Sequence, residues 1–362
     1  MRILLKIKWW WLAAGILTAA ILVFFLLAET AEMPKYFDFE KPGKAAILPA
    51  PEEPVKNVLL FGGDVMLSRT VGQQLEKYKD FAWPFRQVAD VFWVADIAVI
   101  NLESPFLQTK NYFVPTGSFY FKADPRSIEG LNLAGIDLVA LANNHFGNQG
   151  QKGMADTFSW LEENKINYVG AGRNETEAHE GKIIESRGVK FGFLAYAYPE
   201  TADVATGKLA GFANMDLEKM KLDVATLRPQ ADVLIILMHA GIEYTTEPNW
   251  QQKDFAHEAI SAGVDLIVGH HPHWPQKFEL YQGKPIFYSL GNLVFDQMWS
   301  METRQGAVLR LDFEDKKIIQ AEIMPVQIED YGQPAFMTEA SRINKVLRQM
   351  GLNQTKIDFL PR

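Results

Sequence analysis

The sequence predicts a mixed α/β fold in which two β-sheets pack face to face and helices cover their outer sides. From residue 57 onward, apolar strand segments alternate with helical segments, an order typical of parallel βαβ units. The stretches 182–196 and 285–324 instead contain consecutive strand segments, so antiparallel strands are expected as well. Hydrophobic residues make up 48% of the 362 residues, which is enough for the chain to bury a sizeable core.

The N-terminal segment is predicted to anchor the chain in the cell membrane. Residues 9–28 carry no charge, and about 20 apolar residues are what a helix needs to cross a bilayer. Basic residues precede this run and Glu29 and Glu32 follow it, which places the rest of the chain outside the cell. A cleaved signal peptide is the alternative, but the run is long and no clear cleavage site follows. Residues 1–28 are therefore expected to be a cytoplasmic stub and a single-pass anchor.

The remaining chain divides into three predicted parts. Residues 29–56 contain five prolines and little periodicity, which indicates an extended tether. Residues 57–334 form the predicted main domain, and residues 335–362 form a last helix and a tail.

Helix boundaries follow from capping and breaking residues. Asp124 and Pro125 open one helix and Gly135 ends it, while Pro229 and Gly263 end two later helices. The predicted helices cover 124–134, 157–164, 216–228, 250–262 and 337–350. The predicted strands cover 58–61, 97–100, 136–141, 166–169, 182–185, 191–196, 232–237, 264–268, 285–290, 307–313 and 318–324.

Composition excludes several classes of site. The chain has no cysteine, so it can form neither a disulfide nor a thiolate metal site, and it has no cysteine nucleophile. Its formal net charge of −8 argues against sequence-independent nucleic-acid binding, which requires a basic surface. No nucleic-acid partner is therefore expected.

Five predicted strands end at residues that are able to bind a metal ion. Because open α/β sheets bind ligands at the carboxyl ends of their strands, we expect these residues to line one cleft. Oxygen and imidazole donors without cysteine suit divalent ions such as Mn, Fe or Zn, and a carboxylate can bridge two of them. The residues are Asp64, Glu103, Asn143-Asn144-His145, His239 and His270-His271-Pro272-His273.

Other interpretations exist for the individual residues. Asp64 alone could cap a helix, and His239 alone could be a core histidine. Asp64 and Glu103 could form the acid–base pair of a glycosidase, but that leaves the histidine cluster without a role. His179 and His257 lie outside the strand-end pattern and are expected to be structural or solvated.

Six motifs in a fixed order resemble the CapA family of poly-γ-glutamate capsule biosynthesis proteins over about residues 57–334. That family is similar to the calcineurin-like metallophosphoesterases, so the resemblance implies a four-layer sandwich of two sheets flanked by helices. The motifs are Gly63-Asp64-Val65-Met66, Asn101-Leu102-Glu103, Ala142-Asn143-Asn144-His145, His239-Ala240-Gly241-Ile242-Glu243-Tyr244, Gly269-His270-His271-Pro272-His273 and Ser289-Leu290-Gly291-Asn292.

The resemblance also implies a role for each residue around two divalent ions. Asp64 would bind the first ion, Glu103 would bridge both ions, Asn144 and His239 would bind the second, and His271 and His273 would supply one ligand to each ion. His145 would be the general acid or stabilise the leaving group. Asn143 and Glu243 would orient the ligands, and His270 would be a third ligand or a neighbour of the ligands.

The chain departs from the wider phosphoesterase superfamily at three of these positions. Met66 stands where a metal-binding histidine is usual, Glu103 replaces an aspartate, and Phe146 replaces the acidic residue after the catalytic histidine. We therefore expect one ligand of the first ion to be missing and His145 to lack its acidic partner.

Two functions follow from this pattern. One is a membrane-anchored, outward-facing hydrolase or transferase that acts on a phosphoester or on an amide-linked anionic polymer such as poly-γ-glutamate. The alternative is a non-catalytic accessory protein that keeps the fold and helps capsule synthase subunits to export or attach the polymer.

Overall fold

The computed structural model describes residues 54–109 and 119–359. The predicted membrane anchor and almost all of the predicted tether lie outside these ranges. Within the described ranges, no helix combines the length and apolar character that crossing a bilayer requires.

Strands and helices alternate over the first part of the described chain, and strands predominate after it. The strands are β1 (Lys56–Val65), β2 (Ile97–Leu102), β3 (Leu138–Ala140), β4 (Asn167–Val169), β5 (Ala171–Gly172), β6 (Lys182–Ser186), β7 (Val189–Ala197), β8 (Gly211–Phe212), β9 (Val233–His239), β10 (Leu266–His270), β11 (Phe278–Tyr281), β12 (Lys284–Phe287), β13 (Asn292–Val294), β14 (Gln305–Glu314), β15 (Lys317–Glu329), β16 (Gln333–Phe336) and β17 (Lys356–Asp358). The α-helices are α1 (Arg69–Tyr78), α2 (Ala89–Trp93), α3 (Ile128–Ala134), α4 (Gly150–Glu163), α5 (Glu175–Ala178), α6 (Leu217–Leu227), α7 (Trp250–Ala262) and α8 (Ala340–Gln349).

Two large mixed sheets form the centre of the fold. The first has the order β16-β15-β14-β1-β2-β3-β4, with β13 paired to β1 and β17 paired to β15. Strands β1 to β4 and β13 are parallel, whereas β14 to β17 are antiparallel to their neighbours. The second sheet has the order β11-β12-β10-β9-β7-β6, and its four inner strands are parallel. Strands β5 and β8 form a separate small pair.

The core lies between the two sheets. Along β9, Ile235 and Leu237 belong to this central core, while Leu234 and Ile236 belong to a second core with α6 and α7. This alternation reflects the period of two in a strand, in which successive side chains point to opposite faces. The second sheet is therefore apolar on both faces, which explains its nearly continuous hydrophobic sequence.

Several predicted boundaries are confirmed, and one helix is longer than predicted. Helix α7 matches the predicted range of 250–262, because Asn249 and Gln252 form a capping box and Gly263 ends it with a φ of 114°. Helix α4 begins at Gly150, well before the predicted start at residue 157. The first turns of this helix contain two glycines and polar residues, so their intrinsic helix propensity is low. Burial of Met154 stabilises these turns instead.

The predicted grouping of 285–290 with the last strands is wrong. Strand β12 lies in the second sheet, parallel to β10, whereas β14 and β15 form an antiparallel pair in the first sheet. The chain crosses between the sheets at Gly291, whose φ of 70° is readily adopted only by glycine. This crossing brings Asn292 of β13 directly opposite Asp64 of β1.

The C-terminal helix packs on the domain. Val346 and Leu347 of α8 are buried in the central core. The predicted helix at 337–350 is thus confirmed, with slightly narrower bounds. The division of the chain at residue 334 stays a prediction.

Candidate metal centre

The residues predicted at the strand ends come together at one edge of the two sheets. Asp64 lies opposite Asn101 of β2 and Asn292 of β13, while His239 lies opposite His270. Asp64 lies within β1 rather than after it, next to a register shift between Phe61 and Asp64. Such bulges re-aim side chains beside functional sites.

Glycine permits the close backbone approach that builds this edge. A Cβ atom on Gly63 would lie 1.9 Å from the carbonyl oxygen of Gly291. The Asp64 amide donates a hydrogen bond to the same oxygen at 3.0 Å. Any larger residue at position 63 would therefore push the β1 carboxylate away from the crossing between the sheets.

Three of the predicted ligands form a buried cluster. One ligand atom each from Asp64, Glu103 and His273 lies within 4.8 Å of the others. His273 Nδ1 lies 2.9 Å from Asn292 Oδ1, and the amide nitrogen of Asn292 donates to the Thr303 carbonyl at 2.9 Å. Because Asn292 must therefore present its oxygen, His273 carries its proton on Nδ1 and keeps a lone pair on Nε2 for a metal ion.

A second group contains Asn144, His239 and His271. Asn144 Oδ1 lies 3.1 Å from His239 Nε2, and the His239 and His271 rings are 4.8 Å apart. Glu200, which the sequence analysis did not single out, accepts a hydrogen bond from Asn144 Nδ2 at 3.2 Å and lies 3.4 Å from His271 Nε2.

Two buried asparagines connect the ligands. Asn101 Nδ2 donates to Asp64 Oδ1 at 2.8 Å and to Glu103 Oε2 at 3.3 Å, and it lies 3.2 Å from His239 Nδ1. Asn143 Nδ2 in turn donates to Asn101 Oδ1 at 3.2 Å. Asn143 thus supports the ligands through Asn101, which the sequence analysis quoted without a role.

His145 lies beside the buried cluster with one nitrogen facing it. Its Nδ1 lies 3.0 Å from Asn148 Oδ1, and this oxygen also accepts the Phe121 amide at 2.7 Å. The imidazole proton is therefore on Nδ1, and Nε2 carries the lone pair 3.9 Å from Glu103 Oε1. The Phe121 ring stacks on His145 with 3.9 Å between centroids. The residue that orients the His145 ring through Nδ1 is thus the amide Asn148, and the acidic residue next to its other nitrogen is Glu103.

Two of the three departures from the superfamily pattern, Met66 and Phe146, are core residues. Met66 is completely buried, and its sulfur accepts the Ser68 amide at 3.1 Å. Phe146 is buried against Phe158, with ring centroids 5.5 Å apart. Neither position offers a strong ligand or a proton carrier.

The remaining predicted residues flank the ligands. His270 is buried with Nδ1 3.4 Å from Asp64 Oδ1, and it is not a member of the three-residue cluster. Glu243 lies at the rim, with its carboxylate 4.0 Å from His273 Nε2. His179 and His257 pair with Asp223 and Glu279 elsewhere in the fold.

Burial and neighbouring charges shift the pKa values of Glu103, Asp64 and His145 in different directions. Burial, reinforced by the charge of Asp64, raises the pKa of Glu103 well above its usual range. Burial would also raise the pKa of Asp64, but the adjacent His270, His239 and His273 imidazoles hold it well below that range. Burial lowers the pKa of His145 to about 4, so this imidazole is neutral at pH 7.

Burial and neighbouring charges also shift the pKa values of His239, His271 and His273. Burial and the charge of His271 lower the pKa of His239 well below its ordinary value. For His271, burial alone would lower the pKa, but the hydrogen bond to Glu200 and the charge of that carboxylate raise it. Burial also lowers the pKa of His273.

Unpartnered buried atoms indicate that the site fits cations. Within the described part of the chain, the buried atoms Glu103 Oε1 and His271 Nδ1 have no hydrogen-bond partner. Leaving such atoms unpaired is costly, and a metal ion would satisfy both. Oxygen and imidazole donors in this number fit Mn, Fe or Zn.

The sequence analysis missed three residues that orient or border the site, namely Glu200, Asn148 and Arg69, and it quoted Asn292 in a motif without a role. Glu200 follows the end of β7, so the strand-end rule applied to one more strand would have found it. Asn148 lies only three residues after His145, whereas Asn292 contacts His273 across 19 residues. Arg69 has a φ of 49°, forms an ion pair with Asp296, and lies over the Phe121 ring that stacks on His145.

Comparison with known proteins identifies the family. The family model of the bacterial capsule synthesis protein PGA_cap matches residues 58–297. Capsule biosynthesis protein CapA of Bacillus anthracis is 31% identical over 302 residues, covering 81% of this chain and 72% of that protein. A probable polyglutamine synthesis accessory protein of Mycobacterium tuberculosis (strain CDC 1551 / Oshkosh) is 27% identical over 364 residues, covering 81% and 92% of the two chains.

Among solved structures, a phosphatase from Mycoplasma pneumoniae superposes with a TM-score of 0.49 at 16% identity, covering 77% of this chain and 96% of that one. The match of the family model extends over most of the described domain and includes the motifs at Asp64, Glu103, His145, His239 and His273. The chain belongs to the PGA_cap family of bacterial capsule synthesis proteins.

Proposed function

We propose that this protein is a metal-dependent hydrolase or transferase of capsule polymer biosynthesis, acting on a phosphoester or on an amide-linked polymer such as poly-γ-glutamate. One observation carries the proposal. Glu103 Oε1 lies buried in a cluster of three candidate ligands, has no hydrogen-bond partner among the described residues, and lies 3.9 Å from a neutral imidazole nitrogen of His145. The names of the relatives, which concern capsule and polyglutamine synthesis, support the choice of polymer.

The chain's own residues would prepare the reacting groups. Two bound divalent ions supply Lewis-acid activation of the reacting carbonyl or phosphoryl group and of water. His145 holds its lone pair on Nε2 toward the cleft, so it accepts a proton from the nucleophile and later returns it to the leaving group. Asn148 and Phe121 fix the orientation of that ring, so the proton acceptor stays aimed at the cleft.

Attraction of an anionic polymer would depend on the ions. The chain has a formal charge of −8, and Glu200 and Glu243 stand at the rim of the cleft. These carboxylates repel the carboxylates of the polymer. Bound cations would supply the local positive charge that the residues at the rim do not provide.

A non-catalytic accessory function in a capsule synthase complex is the second candidate. Met66 and Phe146 remove one metal ligand and the acidic partner of His145, and both side chains are packed in the core. The mycobacterial relative is itself described as a probable accessory protein. Under this function the protein would hold metal without turning over polymer.

We also propose that residues 1–28 anchor the protein in the cell membrane with the domain outside. The support is the uncharged run at 9–28 and the charge asymmetry around it. Deletion of residues 1–28 is expected to move the protein from the membrane fraction to the soluble fraction. A deleted protein that still sediments with membranes would contradict the anchor.

The enzymatic proposal is tested on the full-length protein purified in detergent. Metal content is measured by mass spectrometry, and turnover is measured on poly-γ-glutamate and on a generic phosphodiester. We expect two ions per chain and turnover that a chelator abolishes. Metal without turnover on either substrate would favour the accessory function, and absence of bound metal would contradict the site.

The His145→Gln variant separates chemistry from metal binding. Because His145 touches the reacting groups but not the ions, turnover should fall by about 10²–10⁴-fold while metal content stays at the wild-type level. His257→Gln is the matched control, since His257 lies on α7 and pairs with Glu279 at 3.0 Å, outside the cleft. Equal turnover in both variants would exclude His145 as the proton carrier.

A further inference from the structure

Glu200 is a single carboxylate that contacts two predicted ligands of the same ion. Its Oε2 accepts a hydrogen bond from Asn144 Nδ2 at 3.2 Å, and its Oε1 lies 3.4 Å from His271 Nε2. Glu200 follows β7 in an irregular segment, and its side chain is 37% exposed. The His271 side chain beneath it is only 3% exposed.

The contact with Glu200 fixes which end of the Asn144 amide faces the ligands. A carboxylate can only accept hydrogen bonds, so the NH₂ group of Asn144 must point toward Glu200. The amide oxygen is thereby turned inward, where it lies 3.1 Å from His239 Nε2. Amide oxygen is the atom of asparagine that binds divalent ions, so this orientation is the one a metal site requires.

The same carboxylate fixes the tautomer of His271. Because Glu200 can only accept, the neutral His271 ring carries its proton on Nε2 and its lone pair on Nδ1. This Nδ1 atom is buried, and no residue of ranges 54–109 and 119–359 forms a hydrogen bond with it. The His271 amide donates to Asp64 Oδ2 at 3.2 Å, and its φ of 96° is in a range that non-glycine residues rarely adopt. The backbone thus holds the ring in place, and Glu200 selects the nitrogen that remains available.

We propose that Glu200 is the positioning residue of the second ion, holding both Asn144 and His271 with their ligand atoms inward. The inference rests on the proposed two-ion site and deepens it. Partners that orient metal ligands commonly change metal affinity by about 10- to 100-fold when removed. Because one exposed carboxylate orients two ligands, the affinity of the second ion depends on the segment after β7, whereas that of the first ion does not.

The test compares Glu200→Ala and Glu200→Gln with the control Glu247→Gln in the full-length protein. Glu247 is an exposed glutamate paired with Lys277 on the segment after β9. Binding of Mn²⁺ is measured by calorimetry, and the His271 tautomer in the metal-free protein is read from long-range ¹H–¹⁵N spectra. Thermal unfolding of the metal-free variants confirms that each is folded.

We expect Glu200→Ala to weaken the second binding step by about 10- to 100-fold and to leave the first step unchanged. Glu200→Gln should show a smaller loss, because its single amide oxygen can accept from only one of the two donors. In the metal-free protein, at a pH high enough for the His271 ring to be neutral, its proton should reside on Nε2 in the wild type and should spread over both nitrogens in Glu200→Ala. The control should match the wild type in both measurements.

Two outcomes would overturn the proposal. One is a folded Glu200→Ala variant with an unchanged second binding step, and the other is an unchanged His271 tautomer in that variant. The wild type could bind no metal while its His271 tautomer still depends on Glu200. That result would contradict the metal-dependent function but would support the role of Glu200 in positioning the His271 ring. The two proposals therefore fail in distinguishable ways.

Discussion

The two halves of the metal centre are oriented by partners of different kinds. In the first half, Asp64 and His273 are held by Asn101 and Asn292, which belong to the neighbouring strands β2 and β13 and are fully buried. Packed sheet strands keep such partners in one arrangement, because any shift would open gaps in a close-packed core. The first half is therefore preorganised by the fold itself.

The second half depends on a side chain that solvent reaches. Asn144 and His271 are oriented by Glu200, whose side chain is 37% exposed on an irregular segment. Segments outside regular elements have fewer buried contacts and open at lower free-energy cost. Under the proposed two-ion site, the first ion would therefore be held more tightly and the second would exchange more readily.

Removing Glu103, the carboxylate proposed to bridge the two ions, should have the largest effect. Glu103→Gln is expected to lose both ions and at least about 10³-fold in turnover, corresponding to about 4 kcal/mol. The metal-free variant should be as stable as the wild type or more stable, because a buried charge repelled by Asp64 is gone. Metal analysis and thermal unfolding with and without Mn²⁺ check both parts. Retention of two ions would show that Glu103 is not shared.

Loss of a buried partner should weaken the first half alone. In Asn292→Ala, His273 loses the acceptor of its Nδ1 proton, so the first binding step should weaken by about 10- to 100-fold. Calorimetric titration with Mn²⁺ measures the two steps separately. Asn132→Ala is the control, since Asn132 lies at the end of α3 and bonds Asn164 on the surface. A loss confined to the second step would reverse the assignment of the halves.

The strand-end rule predicted which candidate ligands lie together, because it uses only the direction of parallel strands. Asp64, Glu103, His239 and the residues after β3 and β10 all follow from it, since carboxyl ends of parallel strands meet at one edge. It did not reveal Asn292, because the crossing of the chain between the sheets at Gly291 depends on packing partners distant in sequence. Local hydrophobic patterns likewise could not show that β12 belongs to the second sheet.

Asp265 is a carboxylate outside the site, and its pKa is shifted downward, in the opposite direction from that of Glu103. Its substitution should have a smaller effect. Burial alone would raise the pKa of Asp265, but hydrogen bonds from Lys284 at 2.6 Å, the Leu234 amide at 2.9 Å and Arg228 at 2.6 Å lower it. The stabilisation is thus present above the unfolded-state pKa and is lost as the pH falls through the lower folded-state value.

Asp265→Asn is therefore expected to lower the free energy of unfolding by about 1–2 kcal/mol at pH 7. The difference from the wild type should shrink in acid, where Asp265 itself becomes protonated. Urea denaturation across acidic and neutral pH measures it, and metal content should stay unchanged. A difference that grows toward acid would contradict the assignment.

The central claim, that the site holds two ions in unequal halves, is tested most directly by anomalous diffraction from crystals equilibrated with increasing Mn²⁺. The first peak should appear among Asp64, Glu103 and His273. At higher concentration, a second peak should appear among Asn144, His239 and His271. Absence of both peaks, or filling of the second position before the first, would contradict the account.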